Sequence, residues 1–441
     1  MDNKHHDTTL AKQEVYIVDG ARSPFLKAKG APGNFSASDL AVNVGRELLA
    51  KQNFLPSDLG EVVIGCVMPS ENEANIARMI ALRLGCGKDV PAYTVQRNCA
   101  SGMQALDSAL KDIQEGRHDL VLAGGTEAMS RAPILFNDNM VNWLAGMWGA
   151  KGMVAKLKQW TKFRLSNLVP EIALLKGLSD PIVNLSMGQT AENVAYDFGI
   201  TREEMDAYSL ESHRRVAVAQ DQNLFTDVYA AYDYKGDFYT ADDGVRRDTS
   251  MEKLAKLKPI FDKKFGSVTA GNSSQVTDGA ALLLLASKKA VKKYKLPVLA
   301  RIVDSQWAGV DPAEMGLGPV YATTALLQRA KLKNDDIDYW ELNEAFAAQV
   351  LGCLAALESD DYCRKNLGMK EAFGRIDPAR LNVDGGAIAL GHPVGASGAR
   401  IVLRLVEILK RTESKRGVAT ICIGGGQGGA MLIENVSGVT T

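Results

Sequence analysis

Histidine is scarce in this chain, cysteine never falls in a CxxC pair, and no apolar run is long. There are five histidines in 441 residues. None stands at metal-ligand spacing from a cysteine, so no metal site is expected. The six cysteines, Cys66, Cys86, Cys99, Cys353, Cys363 and Cys422, suit a reducing compartment, and a cytoplasmic location is expected. The longest apolar run, residues 280–286, is too short to span a bilayer and reads as a buried strand. The first dozen residues, MDNKHHDTTLAK, are polar and read as neither signal peptide nor anchor. The net charge is only -1, which argues against a nucleic-acid partner.

Glycine, by contrast, is abundant: 41 residues, gathered in GG and GGG runs that imply tight turns and close backbone packing. The length suggests two or three packed units. Strand patterns at 14–18, 61–67, 92–95 and 119–123 alternate with helical ones at 39–50, 75–84 and from Met103 to about Gly116. A turn is expected at 20–24. The alternation predicts an α/β layer with a largely parallel sheet. From Pro297 the pattern returns, with strands at 298–303, 337–342, 418–423 and 430–434 and helices at 322–330 and 399–409. The second half reads as a weak repeat of the first. The domain layout expected is an N-terminal α/β half over 14–135, completed by 270–290. An inserted loop domain over 136–269 and a C-terminal half over 291–441 follow.

Residues 140–178 differ in character. They hold Trp143, Trp148 and Trp160, and six basic residues against the single acid Glu171. This reads as an amphipathic helix pair that rests on a membrane surface or a partner, or as a solvated lid. Thr201 with Glu204 forms a capping box at the start of a later helix.

Cys99, in VQRNCASGM, sits where a strand turns into a helix, with Asn98 or Ser101 available as the cap. A thiol there meets unpaired N–H groups and the positive end of the dipole, so its pKa is expected to fall. The alternative is a buried apolar cysteine. Of the histidines, His5 and His6 lie in the tail, and His118 and His213 read as exposed. His392, in GGAIALGHPVGASGAR, is left as the candidate base, or else as a structural histidine. Cys422 precedes three glycines whose N–H groups can converge on an oxygen; otherwise it is a buried strand cysteine. Asn343 at a strand end either holds a water or caps a helix. Arg246-Arg247 stands out in a polar loop, as an anion site or a solvated pair.

VQRNCASGM, AGGTEAMS, NEAFAAQ, NVDGGAIALGHPVGASGARI and CIGGGQGGAM, in this order and at these intervals, resemble the thiolase family over residues 15–434. Within it, the insertion is similar to that of the β-subunit of fatty-acid-oxidation trifunctional complexes. GHPVGASG and CIGGG are similar to those of tetrameric acetyl-CoA acetyltransferases. The resemblance implies a duplicated five-layer α/β/α/β/α fold and a cysteine thioester route. Cys99 is then the nucleophile, His392 its base and Cys422 the acid and base at the α-carbon. Asn343 holds a water at the enolate oxygen, and the Cys99 and Gly424 N–H groups face the acyl oxygen. Arg246 with Arg247, Ser274, Met187 and Met315 are implied as contacts of coenzyme A, a substrate rather than a bound cofactor. Short-chain members often carry His where this chain has Ser186. The activity implied is thiolytic cleavage of 3-ketoacyl-CoA or its reverse. Formation of acetoacetyl-CoA, and a non-catalytic lipid-binding or scaffold subunit, are the alternatives. A homodimer or homotetramer is implied, with a possible β-oxidation partner subunit.

Overall fold

The computed structural model describes residues 13–436; the tail carrying His5 and His6 lies outside them. The N-terminal half begins with β1 (Val15–Arg22), α1 (Ala37–Ala50), β2 (Glu61–Gly65) and α2 (Ile76–Arg83). β3 (Ala92–Val95), α3 (Ser101–Gln114) and β4 (Leu120–Ala128) follow. The inserted segment carries α4 (Asp138–Gly149), α5 (Met153–Trp160), α6 (Met187–Asp197) and α7 (Arg202–Asp221). The chain then returns as β5 (Thr277–Ser287). The second half holds β6 (Ala300–Gly309), α8 (Gly318–Ala330), β7 (Tyr339–Leu342) and α9 (Ala347–Glu358). It ends with α10 (Val394–Arg411), β8 (Arg416–Ile423) and β9 (Gln427–Asn435).

The strand order is β7-β8-β9-β6-β1-β5-β4-β2-β3, so each half contributes one side of the sheet. The expected parallel sheet is corrected: the centre is antiparallel, from β4–β5 through β5–β1, β1–β6 and β6–β9 to β9–β8. Only the outer pairs, β2–β3, β2–β4 and β7–β8, are parallel. A strand buried on both faces is apolar throughout whichever way it runs, so periodicity did not separate the two. The turn expected at 20–24 also begins later, since β1 continues to Arg22 past a register shift between Ile17 and Asp19.

The repeat is visible in the topology. β1, β2, β4 and β5 correspond to β6, β7, β8 and β9, and Leu381, bridged in parallel to Trp340, stands where β3 stands in the first half. β8 and β9 are joined by Gly424-Gly425-Gly426, the last two at φ +89° and +75°. At the equivalent place between β4 and β5 the chain inserts residues 129–276.

β5 shows how the layers are held. Leu282 and Leu284 face α1 and α2, with Leu40, Leu48, Ile76 and Ile80. Leu283 and Leu285 face the opposite way, into a core shared by α3, α10 and both half-sheets. Each such leucine contributes roughly 1.5–3 kcal/mol by leaving water. A third core packs α8 and α9 on the far side of the second half-sheet. The order is therefore helices, sheet, α3 with α10, sheet, helices: five layers.

Glycine lets the two central helices touch. A Cβ on Gly102 would lie 2.8 Å from the Gly395 carbonyl oxygen, and one on Gly125 only 1.9 Å from it. That close approach brings the start of α3, just after Cys99, against the start of α10, just after His392.

Candidate active site

A cavity of about 410 Å³ has Cys99, His392 and Cys422 in its walls, three residues far apart in sequence. Met187, Met315, Ser274 and Arg246 line it as well.

Cys99 is partly buried in the bend between β3 and α3. The expected cap is corrected. The N-cap position is Ala100, and no side chain caps the helix. Ser101 Oγ instead accepts from the Arg97 N–H at 2.9 Å and donates to the Asn98 carbonyl. Asn98 takes φ +42°, and its Nδ2 donates to the Gly424 carbonyl at 2.7 Å. The expected fall in the Cys99 pKa is corrected too. Burial pushes this thiol above its ordinary value, and the Glu127 carboxylate adds to the rise. The Gly424 and Cys99 backbone N–H groups pull the other way without prevailing. Desolvation outweighs the helix terminus, so Cys99 rests as a thiol that needs a base.

His392 is buried, and its backbone N–H donates to the Gln275 carbonyl. Gly391 before it has φ +103° and packs where a Cβ would strike Thr277. Its Nδ1 lies 2.6 Å from Ser397 Oγ, and that hydroxyl donates to the Pro393 carbonyl. Ser397 therefore accepts, Nδ1 carries the proton, and Nε2 presents its lone pair. Nε2 is buried and has no partner among the described residues. Burial first, then the Arg400 cation, lowers the His392 pKa to about 3, so the ring is a neutral acceptor.

Cys422, next to last in β8, lies in a pocket of Met187, Met315, Ala345 and Phe346. Burial, with Cys99 and Cys353 adding to it, raises its thiol well above the ordinary value. Asn343 is fully buried, and it does not cap α9, whose N-cap is Phe346. Its backbone N–H donates to the Thr420 carbonyl, and its Nδ2 has no partner.

The basic pair is divided. Arg246 faces the cavity, while Arg247 turns outward onto Asp221 at 2.9 Å and does not line it. His213, expected to be exposed, is buried and accepts the Arg246 N–H at 3.1 Å, with its pKa lowered to about 4 by burial. His118 is half-buried, within 4.0 Å of Glu61. Ser186 caps α6 in a capping box with Gln189.

The family model for the thiolase N-terminal domain matches residues 15–289, and that for the thiolase C-terminal domain matches residues 296–435. The chain belongs to the thiolase family. Among similar thiolases, the 3-ketoacyl-CoA thiolase of Yersinia enterocolitica is 37% identical over 97% of this chain and 98% of its own length. The mitochondrial 3-ketoacyl-CoA thiolase of Rattus norvegicus is 38% identical over 96% and 98%. Of solved structures, the Bacillus anthracis acetyl-CoA acetyltransferase superposes with TM-score 0.83 at 37% identity, covering 97% of this chain and 100% of that one. Human mitochondrial 3-ketoacyl-CoA thiolase in complex with CoA superposes with TM-score 0.82 at 36% identity, over 96% and 98%.

Sequence reading passed over three buried charges that frame this thiolase site. Glu127 accepts from the Val67, Met68 and Gly395 N–H groups at 2.9, 3.0 and 3.1 Å, joining the two halves. Glu344 accepts from Ser212 Oγ, Tyr208 Oη and Asn382 Nδ2. Arg400 donates to Glu341 and Asn343. All three stand inside the quoted motifs, where a charge amid small apolar residues is the available signal.

Proposed function

We propose that this thiolase cleaves 3-ketoacyl-CoA with coenzyme A, and runs the reverse condensation, through a thioester on Cys99. The carrying observation is the unpartnered His392 Nε2 in the same cavity wall as the two thiols. His392 takes the Cys99 proton as the sulfur attacks the 3-keto carbon. The bond between C2 and C3 breaks, the acyl group stays on Cys99, and Cys422 gives its proton to the acetyl-CoA carbanion. Coenzyme A then passes its thiol proton to the site and attacks the thioester, which restores the Cys99 sulfur and releases shortened acyl-CoA. The Cys99 and Gly424 N–H groups stabilise the acyl oxygen, and Asn343 holds the water at the enolate oxygen.

Arg246, Ser274, Met187 and Met315 are the proposed coenzyme A contacts; the outward turn of Arg247 speaks against its sharing that role. Coenzyme A acts as substrate, with no permanently bound cofactor. Room for the acyl chain supports the degradative reading over an acetoacetyl-CoA-forming one. Ala28, Met129 and Val276 border both the active-site cavity and a neighbouring one of about 690 Å³. Cys99→Ala should abolish thiolysis, and an unchanged rate would refute catalysis in favour of a scaffold role. Comparing acetoacetyl-CoA with a long-chain 3-ketoacyl-CoA decides the substrate, since indifference to the long one ends the degradative reading.

A homodimer or homotetramer is proposed, supported by the open edge at β3; light scattering tests it. A β-oxidation partner subunit or a membrane surface is proposed for the face formed by residues 140–178. Six unpaired thiols support a reducing, cytoplasmic-type compartment. No helix among the described residues is long and apolar enough to cross a membrane.

A further inference from the structure

Arg400 is an unusual side chain to find in the middle of a protein. It sits on α10 and is 1% exposed. Its Nη1 donates to Glu341 Oε2 at 3.1 Å, and its Nη2 faces Asn343 Oδ1 at 3.4 Å. Burial of a charge is costly, and a single carboxylate of opposite sign offsets only part of the cost. Hydrophobic residues of the same volume would serve stability as well, so the pair points to another role.

The second contact, though long, fixes an orientation. An amide has a donating end and an accepting end, which pack almost alike. A guanidinium offers only donors. Turned round, Asn343 would set its N–H2 against the arginine N–H2, two donors facing in a buried site. The cation therefore holds Oδ1 toward itself and leaves Nδ2 as the free end. Nδ2 is buried and has no partner among the described residues. Glu341, itself buried on β7, anchors the guanidinium from the strand that carries Asn343 two residues on.

We infer that Arg400 is a positioning residue: it locks the Asn343 amide so that an N–H2 donor, and never the carbonyl, faces the water at the oxygen of the enolate step. The inference rests on the reading of Asn343 given above. It separates two parts of the reaction. Acyl transfer between acetyl-CoA and a second coenzyme A needs Cys99 and His392 but forms no enolate. Carbon–carbon cleavage needs the enolate oxygen to be held. Loss of the orientation should damage cleavage and spare exchange, whereas general disruption of the core damages both.

The test measures thiolysis of acetoacetyl-CoA beside exchange of labelled coenzyme A into acetyl-CoA, on the full chain. Glu341→Gln with Arg400→Gln removes both charges together, and the new amide can accept as well as donate, so Asn343 is free to turn. Thiolysis kcat should drop by about 30-fold or more with little change in KM, while exchange stays within about threefold. Arg400→Lys retains a partner for Glu341 if the double variant does not fold, and should lower thiolysis by about tenfold with exchange again spared. Asn343→Asp can satisfy Arg400 but has no N–H2, and should lose cleavage as fully as Asn343→Ala. Equal losses in both assays, or normal thiolysis in the folded Arg400 variants, overturn the inference. Normal thiolysis in Asn343→Ala instead removes the role of Asn343 itself.

Discussion

Asn98 Nδ2 donates to the Gly424 carbonyl, so the residue before one cavity thiol, Cys99, is tied to the second residue after the other, Cys422. The contact joins loops from the two repeats beside a Gly424 N–H that favours the Cys99 thiolate. Asn is suited to this place twice over, because it tolerates the left-handed φ of +42° and supplies the donor.

Asn98→Gly keeps the backbone free to adopt that angle and deletes only the hydrogen bond. Its thiolysis kcat should fall by about tenfold to a hundredfold, with a stability loss near ~1 kcal/mol. Asn98→Ala adds backbone strain of about 1 kcal/mol to the same loss. Urea unfolding beside steady-state kinetics checks both. Unaltered kinetics in the glycine variant would separate the Asn98 tether from catalysis.

The resting state of the Cys99 and His392 pair follows from their shifts. Burial raises the thiol and lowers the imidazole to about 3, so both are neutral near pH 7. Thiolate then appears only as the pH climbs. Alkylation of Cys99 by iodoacetamide, followed by peptide mapping, should accelerate by close to ~10-fold per pH unit through pH 8. A rate already level at pH 6 would mean a stored ion pair and contradict this account.

His213 gives the stability a sign at acid pH. Its ordinary value is 6.5, and burial lowers it to about 4 in the folded chain. The unfolded chain takes up the proton first, so stability is lost as pH falls from 6.5 toward 4. His392 acts in the same sense. Glu127 acts in the opposite one: burial lifts it to about 7, and its share is lost as pH rises from the ordinary 4.5 toward that value. His213→Gln retains an acceptor for the Arg246 N–H and removes one titration. The fall in Tm between pH 6.5 and 5 should be smaller in that variant than in the parent.

Glu127 closes the joint between the halves. It satisfies the Gly395 N–H at the start of α10, a helix without a side-chain cap of its own, and two N–H groups of the loop after β2. Glu127→Ala leaves one buried and two part-buried donors unpaired and should cost about 2 kcal/mol or more. Chemical denaturation measures this. A loss under ~1 kcal/mol would mean that the loops refit around the gap.

Much of this was legible in the residues. The bend at Cys99 and the second thiol before a glycine turn each depend on local chemistry. The capping box at Thr201 and Glu204 does too. The elimination that left His392 counted His213 as exposed, which it is not. What escaped depends on what covers a residue. His213 has Glu211, Arg214 and Arg215 around it in sequence, and only the loop at Arg246 hides its ring. Cys99 has the helix terminus its sequence implies, but the depth of its burial is set by the other half of the chain. Arg400 carries no local sign of burial; its partners Glu341 and Asn343 come from β7 and the residue after it, far away in sequence.

The inserted helices α4 and α5 bury none of their side chains. They are held to each other by Trp143 Nε1 donating to the Gln159 carbonyl and by ring contact of Trp143 with Trp160 and Phe163. Outward they present Trp148, 93% exposed, with Met153, Val154 and Leu157. Lys151, Lys156, Lys158, Lys162 and Arg164 lie on the same unit, and none is ion-paired among the described residues. Apolar side chains beside free cations match an anionic lipid surface, where each cation contributes about 1 kcal/mol. Reversing Lys156, Lys158 and Lys162 to Glu should therefore cut co-sedimentation with phosphatidylserine vesicles by about tenfold or more while thiolysis is unchanged. Trp148→Ala should weaken it further at high salt, where the charge contribution is screened. Binding that survives both changes would turn this face from a lipid contact to a protein one.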